Sequence, residues 1–249
     1  MTTLSIHVSS DSNLRLTVDD HVYYFNPMTE EEEREEADAD AIFVLETGEL
    51  VHPIDPTQSS GEAYELKNGI KLFQKQSSEI WCSQAFKRHL EQRIADARAG
   101  RCRFPGEKEF YSSLAGKLHW LHPQHLIQRE GFTFRLLEFT QQPLFPAQKS
   151  GVLLTIKDKD FLIAHSSACA AYDRTAAIPR LELLVLNLDA PADQADSVAA
   201  FIQFLNPQKL FLRDLGFKKK LLTALLGKLE VRAPRTEVIR QKHFHMTLP

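Results

Sequence analysis

Two stretches of this chain align without a gap, and this constrains its folding more than any other feature. Leu14-Arg-Leu-Thr-Val-Asp-Asp-His-Val-Tyr-Tyr-Phe25 lies over Val152-Leu-Leu-Thr-Ile-Lys-Asp-Lys-Asp-Phe-Leu-Ile163. An apolar run follows each, Ala41-Ile-Phe-Val-Leu45 in the first half and Leu183-Leu-Val-Leu186 in the second. With only two copies the repeat is no solenoid. It predicts two similar β-layers packed face to face, with any chemistry where the halves meet.

A chain of 249 residues has room for one large domain or two small ones. No linker interrupts it and the repeat ties its halves together, so a single domain over 1–249 is expected, with halves of about 1–125 and 126–249. The net charge of −3 gives no general pull toward nucleic acid or anionic lipid. Cys82, Cys102 and Cys169 are odd in number and widely spaced, which excludes a Cys-x-x-Cys zinc knuckle and suits reduced thiols in a cytoplasmic protein. The opening Met-Thr-Thr-Leu-Ser-Ile-His lacks the basic and apolar regions of a signal peptide, and no apolar run nears the ~20 residues that span a bilayer, so no membrane association is expected.

Period-two patterns predict strands over residues 3–9 and 14–18, and Asp19-Asp20 predicts a hairpin turn into Val22-Tyr-Tyr-Phe25. Glu30 to Asp40 holds eight acidic residues and one Arg, as a solvated loop or exposed helix would. Ala41–Leu45, Glu79–Cys82 and Leu181–Leu188 suit strands buried on both faces. Ser83 precedes a helix to Arg98 with Phe86, Leu90 and Ile94 on one stripe. Residues 101–125 show no regular pattern. Leu126–Arg129 and Phe132–Phe139 read as strands, then comes the second hairpin at Lys157-Asp158-Lys159, then a long loop over 165–180. Asp193–Leu205 is an amphipathic helix stopped by Asn206-Pro207. A strand at Lys209–Arg213, a helix at Lys218–Leu226 and a closing strand or hairpin at Glu237–Leu248 complete the reading.

This order resembles the metallo-β-lactamase fold, and the resemblance covers nearly the whole chain. It implies an α/β architecture: an αββα sandwich of two mixed β-sheets, helices on the outer faces, in two similar halves. Asp40-Ala-Ile-Phe-Val-Leu-Glu-Thr-Gly-Glu-Leu-Val-His-Pro-Ile-Asp-Pro56 is similar to the family's stretch in which a buried strand runs into His-x-His-x-Asp-His. Leu162-Ile-Ala-His-Ser-Ser-Ala-Cys169 is similar to the strand ending in Ser-Gly-Asp, and Leu210-Phe-Leu-Arg-Asp-Leu-Gly-Phe217 to the strand ending in the last histidine ligand. Glu138-Phe-Thr-Gln-Gln-Pro143 stands where another histidine would follow a strand.

At all four places the chain departs from the family. A dinuclear zinc centre needs roughly seven or eight imidazole, thiolate or carboxylate ligands. The first motif offers Glu46, Glu49, Asp55 and one histidine, His52. The second offers Gln141 or Gln142. In the third, the bridging aspartate's place falls on Ser166 or Ser167, and in the fourth Asp214 replaces the histidine. Neutral amides and hydroxyls are poor zinc ligands, so the resemblance implies a protein that has lost the zinc centre and the hydrolysis that depends on it. No cofactor is expected. Should zinc or another divalent metal bind, its ligands would come from Glu46, Glu49, His52, Asp55, His165 and Asp214.

Other constellations are weaker. His119 and His122, at i, i+3 with His125 beyond, would share one face of a helix and offer a metal site, against the plainer reading of a polar, aromatic loop packed around Trp120. His243 and His245 alternate on a strand without a carboxylate partner. His165 stands at the expected active edge, and with Ser166, Ser167 and Asp214 it offers a catalytic Ser-His-Asp set, against the plainer reading of rim residues bonding loop backbone. From Lys209 onward ten Lys or Arg face three Asp or Glu. This basic end suits contact with the acidic segment, with a partner, or less readily with nucleic acid.

Three functions remain open. The first is a binding, regulatory or interaction protein with a protein partner or a second copy of itself. The second is a hydrolase of phosphoester, lactone or amide bonds, with a small-molecule substrate and a rearranged or metal-free site. The third is a nucleic-acid-binding module.

Overall fold

The computed structural model describes residues 3–8, 14–27, 38–44, 70–71, 74–102, 106–122, 126–129, 132–138, 150–170, 172, 178, 180–213, 219–239 and 243–247. The chain divides into two compact units, residues 1–122 with 242–249, and residues 123–241. The acidic run over 30–37 lies outside the described residues.

In the first unit β1 (Thr3–Val8), β2 (Leu14–Val18), β3 (His21–Phe25), β4 (Ala39–Val44), β5 (Gln74–Cys82) and β6 (Leu118–Trp120) form consecutive neighbours in one sheet. The β1–β2 and β2–β3 pairs are antiparallel, and the next three pairs are parallel. Asp19 turns the β2–β3 hairpin in the left-handed region, at φ 52°. Alternation in β2 buries Leu14, Leu16 and Val18 on one face, whereas β4 buries Ala41, Ile42, Phe43 and Val44 on both. Helix α1 (Gln84–Arg98) starts where the Ser83 hydroxyl accepts a hydrogen bond from the Phe86 N–H at 3.1 Å. Its stripe of Phe86, Leu90, Ile94 and Ala97 packs with Tyr24, Ile42, Val44 and Ile80 of the sheet. Each such buried side chain stabilises the unit by about 1.5–3 kcal/mol.

Residues 101–125 are more regular than their sequence suggests. Gly106, at φ 79°, leads into α2 (Glu107–Ser113), which adds Phe110 and Tyr111 to the same core. Arg93 of α1 joins the two helices, 3.1 Å from Glu107 and with its guanidinium 5.0 Å from the Tyr111 ring centre. His119 lies on β6, stacked on Trp81 at 4.7 Å, and His122 follows that strand, edge-on to Trp120 at 4.4 Å. The helical histidine pair therefore does not form, because parallel pairing with β5 makes this segment a strand. His125 lies outside the described residues.

The second unit holds β7 (Leu126–Arg129), β8 (Phe132–Glu138), β9 (Ser150–Ile156) and β10 (Lys159–His165), all paired antiparallel. Lys157 and Asp158, both at positive φ, make the tight turn between β9 and β10. Helix α3 (Ser166–Ala170) follows where a loop was expected, then β11 (Leu181–Asn187), α4 (Ala195–Leu205), β12 (Lys209–Arg213), α5 (Lys219–Arg232) and β13 (Glu237–Ile239). Strands β10 to β13 are parallel neighbours. Leu162, Ala164, Leu184, Leu186 and Leu210 of the sheet pack against Val198, Phe201, Ile202 and Leu205 of α4 and Leu221, Leu225 and Leu229 of α5. Asn206 ends α4 at φ 44°, its N–H donating to the Ile202 carbonyl at 2.9 Å.

The chain's last strand, β14 (His243–Thr247), does not form a hairpin with β13. It belongs to the first sheet, antiparallel to β1 and at its edge. Both sheets are thus mixed and seven-stranded, and β1–β6 and β8–β13 repeat the same order of pair directions. The repeat reaches the register. Val18 pairs with His21 as Ile156 pairs with Lys159, and Tyr23 pairs with Ala41 as Phe161 pairs with Leu183. Cys82, Cys102 and Cys169 are free thiols, and among the described residues no helix is long and apolar enough to cross a membrane.

Helix α5 runs past Leu226, the end expected from sequence, because Leu229 continues the buried row begun by Leu221 and Leu225. Gly227 is helical and exposed, and an added Cβ would meet nothing within 4 Å. Gly227→Ala should therefore raise unfolding stability by about 1 kcal/mol in urea denaturation.

Candidate functional site

In the second unit the parallel strands β10, β11 and β12 end together. His165 is the last residue of β10, Asn187 of β11 and Arg213 of β12, and His165 pairs with Asn187 as Asn187 pairs with Arg213. Residues paired in register across parallel strands share a face, so these three stand in one row, about 4.8 Å from strand to strand. The polar row caps apolar columns: Ile163 precedes His165 on its face, Val185 precedes Asn187 and Phe211 precedes Arg213, all buried. His165, Asn187 and Arg213 are buried as well, at 8%, 2% and 3% exposure.

A clasp locks the end of β10 to the loop after β11. Ser166 Oγ donates to Asp189 Oδ1 at 3.0 Å and accepts from the Asp189 and Ala190 N–H groups at 3.0 and 2.8 Å. Ser167 gives Asp189 its N–H at 2.8 Å and its hydroxyl at 2.5 Å. His165 Nδ1 lies 3.4 Å from Asp189 Oδ2. Burial alone would push the Asp189 carboxyl up, but the donors and charge of His165 and the Ser167 bonds outweigh it and hold it well below the usual carboxylate range. The clasp fixes the two strand ends and sets its carboxylate beside the imidazole. Ser166 is fully buried, and its single proton goes to a carboxylate that is a weak base.

Arg213 has a different environment. Its Nη1 donates to Asn187 Oδ1 at 3.2 Å. Among the described residues no acceptor reaches its Nε or Nη2, or Nδ2 of Asn187. Burial pulls the guanidinium down to about 9, so it stays charged near neutral pH.

Of the candidates named from sequence, the structure brings His165 and Ser166 together and joins them to Asp189, which sequence reasoning missed. Glu46, Glu49, His52, Asp55 and Asp214 lie outside the described residues, as do Gln141 and Gln142. Among the described residues no group of three or more His, Cys, Asp or Glu is placed to hold a metal ion. The row itself does not fit zinc: an amide and a guanidinium supply no ligand, and a fixed positive charge repels a divalent cation.

Asp189→Ala should destabilise the protein by about 3 kcal/mol in urea unfolding, because it strands the donors of Ser166 and Ser167. Since folding lowers this carboxyl's pKa, its contribution is present above the unfolded value of about 4 and is lost as pH falls through the folded value. Acid unfolding should accordingly be less steep below about pH 4 in the variant than in the wild type.

No protein-family model and no curated protein sequence matches the chain. Solved structures do. A protein of Parabacteroides distasonis assigned as a metal-dependent hydrolase is 15% identical, with 96% of this chain and 92% of the other covered at a TM-score of 0.60. Igni18, a metallo hydrolase of the archaeon Ignicoccus hospitalis, is 10% identical, with 99% and 100% covered at 0.55. Zinc-bound PqqB of Methylobacterium extorquens is 9% identical, with 97% and 89% covered at 0.58. Likeness at such identities shows fold and nothing finer: two mixed seven-stranded sheets with their helices give this chain the metallo-β-lactamase fold.

Proposed function

We propose that this chain is a metallo-β-lactamase-fold protein that has lost the dinuclear zinc centre and works by binding, as a regulatory or interaction protein. The observation that carries the reading is Arg213. The resemblance sets the last histidine ligand's place on Asp214, just after β12, and the residue before it, Arg213, is a buried, uncompensated cation. A divalent ion would have to overcome that charge in a poorly solvated site, where repulsion is several times stronger than in water. The same proposal takes the matching strand orders as the trace of an internal duplication, and the free thiols suit a cytoplasmic location. A protein partner or a second copy is the partner we favour. Nucleic acid is the weaker choice, resting only on the basic end of the chain.

A metal-free hydrolase of phosphoester, lactone or amide bonds is the second reading. One observation favours it: the Asp189 carboxylate stands 3.4 Å from His165 Nδ1, beside the imidazole that would act as the base. Against it, the nearest hydroxyl, Ser166, already serves the clasp.

Metal analysis of protein purified without chelator should find well under one zinc, iron or manganese per chain, and added Zn²⁺ should leave the melting temperature within about 1 °C. One or two ions per chain would overturn the proposal. Hydrolysis of a phosphoester, lactone or amide that disappears in His165→Ala would favour the second reading.

A further inference from the structure

We infer that Arg213 and Asn187 form a binding site for the oxyanion group of a small ligand, a phosphate or a carboxylate, at the carboxyl ends of β11 and β12. The inference rests on the reading of a zinc-free binding protein and names the chemistry that it binds.

Three observations carry it. First, the two guanidinium nitrogens without an acceptor, Nε and Nη2, form one edge of the planar group, and that edge spans two oxygens of a carboxylate or phosphate. Nη1, on the other side, is held by Asn187 Oδ1, which fixes the plane. Second, that bond turns Asn187 so that its amide nitrogen Nδ2 is a third donor without an acceptor. These two paired side chains thus carry three buried donors without an acceptor, two of them on one guanidinium edge, and an acceptor-only group satisfies such an edge better than a hydroxyl or amide would. Third, Arg213 is 97% buried by its 3% exposure, and among the described residues no carboxylate forms an ion pair with it. An unpaired buried charge is costly, and ligands in parallel α/β sheets bind outside the carboxyl ends of the strands. Asp189, on the loop after β11, is already held by Ser166 and Ser167. Both side chains are buried, so an anion reaches them only through local opening of the surrounding chain.

The test uses chelator-treated full-length protein of measured metal content, with inorganic phosphate and acetate as separate probes against chloride at constant ionic strength. Melting temperature and calorimetric titration are read together. The better probe should raise the melting temperature by about 5 °C at a hundred times its dissociation constant, and the stronger responder tells phosphate from carboxylate. Arg213→Met should fold, with a melting temperature no lower than wild type, and should not respond. Asn187→Asp places a carboxylate beside the guanidinium, so it should melt higher without ligand and lose affinity at least tenfold. If Arg213→Met does not fold, Arg213→Lys carries the test, since an ammonium does not span two oxygens and should also weaken binding at least tenfold.

A flat response to both anions overturns the inference, and so does an equal response in wild type and variants. A response that needs added zinc overturns it together with the zinc-free reading. Zinc found as purified, with an anion response that survives its removal, overturns only the zinc-free reading. No zinc and no response overturns only the inference.

Discussion

Parallel pairing in register is the constraint on which the candidate site depends. Once β10, β11 and β12 align, the last side chain of each must stand beside the next, whatever chemistry the residues carry. The preceding residues on that face, Ile163, Val185 and Phe211, are buried hydrophobics, so the row above them inherits a poorly solvated place. In such a place a ligand set, a hydrogen-bonded clasp and an isolated charge have very different consequences. This chain has the clasp at one end of the row and the charge at the other.

The fold was largely legible because its signals are periodic. Alternation in Leu14–Val18, the continuous apolar run of Leu183–Leu186 and the turn chemistry of Asp19-Asp20 and Lys157-Asp158 each arise from local physics, and the structure follows them in both halves. Where the reading missed, distant packing outweighed a local signal. The helix expected over Lys218–Leu226 runs on to Arg232, because Leu229, buried in line with Leu221 and Leu225, carries α5 onward. Glu237–Leu248 reads as a closing strand or hairpin, yet it holds two strands that join different sheets, a choice that no short window of sequence contains.

The site was legible by halves. His165 and Ser166 stood out because a titratable group and a hydroxyl follow a buried strand. Asp189 was not singled out, because its reciprocal bonds with Ser166 and Ser167 join residues more than twenty positions apart. Its one sequence signal was that both segments end an apolar run in polar residues. Arg213 reads only as the end of a strand, and Asp214, the candidate named there, lies outside the described residues.

The central claim is that this end of the sheet holds a fixed cation where the resemblance expects a metal. Anomalous diffraction at the zinc edge, from crystals grown with excess Zn²⁺, tests it at the atoms concerned. The account predicts no zinc peak at the ends of β10, β11 and β12. A peak within about 2.2 Å of a nitrogen of His165 or an oxygen of Asp214 would contradict it.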